Sequence, residues 1–171
     1  MGYTHYWKFK TNKGNTCKPS TIENGAEKFK NAVALFKECL KTLNGKTKKI
    51  VWDYSYCMAD RFENGCKLGE KVSMTLCNGW GKRGTKPTIT DTLVSFNGCE
   101  KNSHETCYIS LDEGEFNFCK TARKPYDTAV CVCLLCFKHY FGDNMELSSD
   151  GDMNGVEWQY AKEVFNSQFN N

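Results

Sequence analysis

Little in this sequence assigns it at a glance. Its 171 residues hold only three histidines and three prolines, so a histidine-rich metal centre and a proline-rich linker are both excluded. A formal net charge of +3 is too small for bulk attraction to nucleic acid, and anion recognition must come from a local cluster. No apolar run approaches the ~20 residues of a membrane-spanning helix, and no apolar signal region follows Met1. Met1-Gly2 opens like an N-myristoylation start, but Tyr6 stands where that motif needs Ser or Thr. Internal repeats, low-complexity tracts and linkers are missing too, so residues 1–171 are expected to form one domain without membrane contact.

What is abundant is cysteine. Eleven is an odd number, and the spacings match neither a disulfide framework nor paired zinc knuckles. Cys131, Cys133 and Cys136 lie in the most apolar segment, where a thiol behaves as a small buried hydrophobe. Cys133 and Cys136 form a C-x-x-C, yet two turns or more inside a predicted helix, away from the terminus that would lower a thiol pKa. Structural thiols in a reducing cytosol are therefore expected, with no metal and no cofactor.

Periodicity predicts an α+β fold: a mainly antiparallel sheet packed on a buried central helix over about 125–141 and on two amphipathic helices. Residues 4–9 read as a first strand. Phe29, Val33, Phe36, Leu40 and Leu43 then mark one face of a helix with Thr21 as N-cap and Gly45 as stop. Further strands are predicted at 49–56, 72–76, 88–96, 105–111 and 115–119, the 88–96 and 105–111 pair being antiparallel and joined through Asn97-Gly98. Pro125 and Asp127 open the central helix, whose body is apolar nearly all round. A strand at 145–149, a turn at 148–155 and an amphipathic helix at 156–169 complete the pattern.

Four groups of residues are candidates for chemistry. Lys120, Thr121, Arg123 and Lys124 precede Pro125, placing three cations and a hydroxyl where unpaired helix N–H groups favour an anion. The competing reading pairs Arg123 and Lys124 with Asp127 and surface acids. Cys119 lies in the same field, which would lower its thiol pKa unless it is buried. Asp150, Asp152, Asn154 and Gly155 match the first half of a calcium loop, but Glu157 and Ala161 break the second half. A tight turn before the last helix is the better account, with a weak magnesium site beside a phosphate as the rival. His104 with Glu105 could act as general acid or base, and His5 is a further polar candidate. Among the aromatics, Trp80 sits in a Gly-rich loop beside Lys82 and Arg83, with Trp7 and Tyr126 as further stacking surfaces.

Several of these residues recur in blocks: Met-Gly-Tyr-Thr-His-Tyr-Trp7, Phe96-Asn-Gly98 with His104-Glu-Thr106, Phe118 to Asp127 containing KTARKPYD, and Ser148-Ser-Asp-Gly-Asp152 with Glu157-Trp158. In this order the chain resembles a family of short proteins from tailed bacteriophages and other large DNA viruses. The resemblance implies a viral origin and a place in the host cytoplasm. It also groups His5, His104, Lys120, Thr121, Arg123, Lys124 and Asp150 as recurring polar positions.

Together these readings lead to the expectation of a binding protein for a small phosphorylated, nucleotide-like ligand. The viral context adds sequestration of a host cyclic-nucleotide immune signal. One rival is a phosphodiesterase or other hydrolase using His104 and Glu105. Another is a protein–protein inhibitor or minor virion protein with no small ligand. Homo-oligomer formation is left open.

Overall fold

The computed structural model describes residues 3–43, 47–49, 71–73 and 75–170. Alternation in the first strand, β1 (Thr4–Phe9), sends His5, Trp7 and Phe9 inward and Tyr6 and Lys8 outward. β1 is the middle strand of an antiparallel sheet between β8 (Asn117–Lys120) and β9 (Met145–Ser149). The register sets Tyr6 opposite Phe118 and Ser148, Lys8 opposite Glu146, and Thr4 opposite Lys120.

A second antiparallel sheet is built on β6 (Leu93–Gly98). It is flanked on one side by β7 (Cys107–Ser110), and it pairs with β4 (Leu76–Cys77) and β5 (Thr88–Ile89) at its two ends. Thr47–Lys49 (β2) and Lys71–Ser73 (β3) form a separate antiparallel pair. The predicted 88–96 strand thus divides, and so does 72–76. Of the predicted 49–56 strand only Lys49 lies among the described residues, at the end of β2.

Three α-helices occur among the described residues: α1 (Gly25–Leu43), α2 (Asp127–Phe141) and α3 (Val156–Ser167). Helix α2 packs against α1, α3 and β9, and residues 127–134 are buried without interruption. That is why its sequence shows no polar stripe. Phe9, Phe29, Phe137 and Phe141 meet edge to face or stacked where β1, α1 and α2 join. Helix α1 starts at Gly25 rather than at a Thr21 cap, because Pro19–Thr21 forms a 3-10 turn first. A side chain at Gly25 would lie 1.9 Å from the carbonyl oxygen of Pro19. No helix among the described residues is long and apolar enough to cross a membrane.

The cysteines follow the buried-thiol reading with one departure. Cys39, Cys107, Cys119, Cys131, Cys133 and Cys136 are buried free thiols, and burial pushes those of Cys107, Cys119, Cys133 and Cys136 up in pKa. Cys119 thus follows the buried alternative, its thiol raised chiefly by desolvation. Cys77 and Cys99, however, are joined in a disulfide, which the expectation of reduced thiols did not include.

Candidate functional site

The segment leading from β8 into α2 turns inward. Thr121 and Ala122 both donate backbone N–H groups to the Tyr3 carbonyl, at 3.0 and 3.2 Å. Ala122 and Arg123 then adopt left-handed backbone, with φ of 48° and 55°, a conformation that ordinary residues hold only when the surroundings fix it. This turn lays the Arg123 guanidinium over the Tyr3 ring, 4.1 Å from its centroid. Buried Thr121 donates its hydroxyl to Asp127 Oδ1. Buried Lys124 donates its ammonium to the Lys101 carbonyl. Tyr126, also buried, donates its hydroxyl to the Glu105 carbonyl at 2.7 Å. Desolvation raises the Tyr126 pKa far above the ordinary phenol value.

The phosphate cradle expected before Pro125 is therefore mostly a structural joint. Helix α2 begins at Asp127, not Pro125, and carries its own anion in its first turn. Thr121, Lys124 and Tyr126 point into the protein; Lys120 and Arg123 keep part of their surface in solvent.

The other expected positions are scattered. His104 is exposed, and its backbone, not its ring, is pinned by the buried Asn97 side chain at 2.8 and 3.0 Å. The Glu105 carboxylate accepts the Lys120 backbone N–H at 2.6 Å. Trp7 is in the core, so it offers no stacking face, whereas Trp80 is 92% exposed. Asp150 accepts from the Thr4 N–H and the Tyr6 hydroxyl, both at 3.0 Å, tying the end of β1 to the segment after β9. Asp152 closes the expected turn, accepting from Asn154 N–H through its side chain and from Gly155 N–H through its carbonyl. His5 is wholly buried, 2.8 Å from Asp127.

The outer face of the β8-β1-β9 sheet gathers chemistry that these expectations only touched. Tyr6 and Phe116 stack with centroids 6.0 Å apart and planes inclined by 19°. Phe116 and Phe118 are 57% and 55% exposed, two of four large apolar side chains so open among the described residues. Lys8 and Lys10 flank Glu146, at 2.9 and 2.8 Å. Their hydrogen bonds, Lys10 foremost, hold its carboxyl down at about 2. A cavity of about 460 Å³ opens here, lined among others by Tyr6, Lys8, Lys10, Phe116, Glu146 and Ser148. Register puts Lys120 on the same face beyond Phe118.

Alternation in Tyr6-Trp-Lys8-Phe-Lys10 is the signal that could have found this face, since it places one ring and two cations on a single side of one strand. A second cavity of about 670 Å³ lies against the Cys77–Cys99 disulfide, with Arg83, Lys86 and Lys101 in its wall. Arg83 is there engaged by Glu100 at 2.6 Å, and no aromatic residue lines the cavity. Searches against protein-family models, curated proteins and solved structures found no match for the chain.

Proposed function

We propose that this protein captures a small phosphorylated ligand with a planar ring, a nucleotide, on the outer face of the β8-β1-β9 sheet. The observation that carries this reading is the stacked Tyr6–Phe116 pair beside Lys8 and Lys10 at a cavity of about 460 Å³, a size suited to a small molecule. A base lies against Tyr6, Phe116 or Phe118, where each stack contributes about 1–3 kcal/mol. Phosphate is met by Lys8 and Lys10, displacing their contacts to Glu146, and Ser148 offers a hydroxyl to the sugar or ring. The role we assign is sequestration, with turnover as the rival that the test below separates. The resemblance to phage and large-virus proteins supplies the biological side of the proposal: a host cyclic-nucleotide immune signal, held in the host cytoplasm.

Purified protein dialysed against a panel of linear and cyclic nucleotides, then denatured and chromatographed, tests this. We expect intact nucleotide to be retained, and retention to fall ~10-fold or more in Tyr6→Ala and in the Lys8→Ala/Lys10→Ala double variant. Arg83→Ala/Lys86→Ala should retain it. Converted nucleotide would instead support the hydrolase reading, and loss of conversion in His104→Ala would place it at His104 and Glu105. Neither retention nor conversion would leave the protein–protein inhibitor or virion reading.

A further inference from the structure

On the inner side of the same sheet, three metal-ligating side chains converge where no short sequence spacing brings them together. His5 from β1 meets Asp127 and Cys131 from the first turns of α2, all three at most 1% exposed, with their ligand atoms within 4.8 Å of one another. Asp127 and Cys131 are four residues apart, so they share one helix face. We infer that His5, Asp127 and Cys131 form a buried site for a borderline-soft divalent cation, zinc by its donor set.

The separations are short enough for the three groups to share one ion. His5 Nε2 faces both Asp127 Oδ1, at 2.8 Å, and Cys131 Sγ, at 3.6 Å, while Cys131 Sγ lies 3.8 Å from Asp127 Oδ2. Without a cation, Nε2–H can donate to Oδ1 and the Cys131 thiol to Oδ2; with one on Nε2, the ring proton sits on Nδ1, which has no hydrogen-bond partner among the described residues. A cation at the centre engages nitrogen, oxygen and sulfur together. Tetrahedral zinc, with its usual bond lengths, sets N···S and S···O edges of about 3.6 Å and an N···O edge of about 3.4 Å. The Nε2···Sγ edge fits as it stands, the Nε2···Oδ1 edge must open by about half an ångström, and because sulfur faces the other carboxylate oxygen, Asp127 must turn or bind through both oxygens.

Outer support is also in place. Thr121 donates its hydroxyl to the Asp127 carboxylate, the kind of contact that orients a ligand. Tyr3 and Trp158 stand edge to face against the His5 ring, with centroids 4.9 and 5.2 Å away, and seal it from solvent. The fourth position is left for a water molecule or the second Asp127 oxygen. Loading removes the Cys131 thiol proton to solvent and leaves His5 neutral and Asp127 ionised, so uptake releases a proton and weakens as pH falls. Because the site is sealed, the ion enters as the chain folds and acts as a structural staple. This inference is independent of the nucleotide reading, since Tyr6 and Lys8 lie on the opposite face.

The full chain, unfolded under reducing, metal-free conditions and refolded with cobalt chloride, provides the test. We expect one cobalt per chain, a thiolate-to-cobalt absorption band in the near ultraviolet, and a higher unfolding midpoint than in metal-free refolded protein. Cys131→Ser and His5→Gln should each lose the band, whereas Cys39→Ala should keep it. Absence of the band from the unsubstituted protein, or its persistence in Cys131→Ser, overturns the assignment. Where a variant does not fold, absence of the band from the unsubstituted protein still overturns the assignment.

Discussion

Glu146 shows how single residues on the sheet face are balanced. Set between Lys8 and Lys10, its carboxyl is held at about 2 against an ordinary 4.5. A depressed carboxylate pKa adds stability that is complete above the ordinary value and is lost as pH falls through about 2. The bridges are exposed, so that contribution is small. A carboxyl NMR titration should find Glu146 half-protonated near pH 2; a midpoint in the usual range would mean that the two lysines do not hold it. Thr121 carries the opposite expectation from the one its sequence context suggests. Its buried hydroxyl serves Asp127 inside the protein. Thr121→Val should therefore cost about 1–3 kcal/mol in denaturant unfolding while leaving nucleotide retention unchanged. Lost retention at unchanged stability would return the phosphate site to that loop.

Among the elements, those that local pattern dictates were legible in the sequence. β1 and β9 occupy the predicted residues, and α2 is the all-round buried helix that its apolar run requires. The β6–β7 pair lies within the predicted antiparallel runs. What pattern could not supply was the fate of polar groups with partners far along the chain. Lys124 ends on the carbonyl of Lys101, Thr121 N–H on that of Tyr3, and His5 on Asp127. Each looks like a free functional group until the chain closes around it.

Asn97 is the clearest case. An Asn-Gly pair suggests a hairpin turn, yet Asn97 lies in β6, with its amide donating to the carbonyls of Gly79 and His104 and its oxygen accepting from the N–H groups of Gly98 and His104. It anchors the connection between β6 and β7 to the Gly-rich loop. Asn97→Ala should destabilise the protein by about 1–3 kcal/mol or more, because several buried backbone groups lose partners at once. A change under about 0.5 kcal/mol by urea denaturation would show that water replaces them.

At the scale of the whole molecule, one sheet presents two different faces. Its inner face supplies His5 to the helix α2 cluster, and its outer face supplies Tyr6, Lys8 and Lys10 to solvent. The Cys77–Cys99 disulfide closes a separation of 22 residues at the other sheet, and bridging such a loop adds about 3 kcal/mol by chain entropy. Unfolding midpoints measured with and without reductant should differ accordingly; identical midpoints would mean that the bond does not form in solution.

The proposed nucleotide site stands or falls on the place where a nucleotide binds. Amide chemical-shift mapping of isotope-labelled protein, titrated with the nucleotide it retains best, locates that place directly. The largest shifts are expected at Tyr6, Lys8, Phe118 and Ser148, across the outer face of β8-β1-β9. Shifts centred instead on Thr121, Arg123 and Lys124, or on Arg83 and Lys101, would contradict that placement.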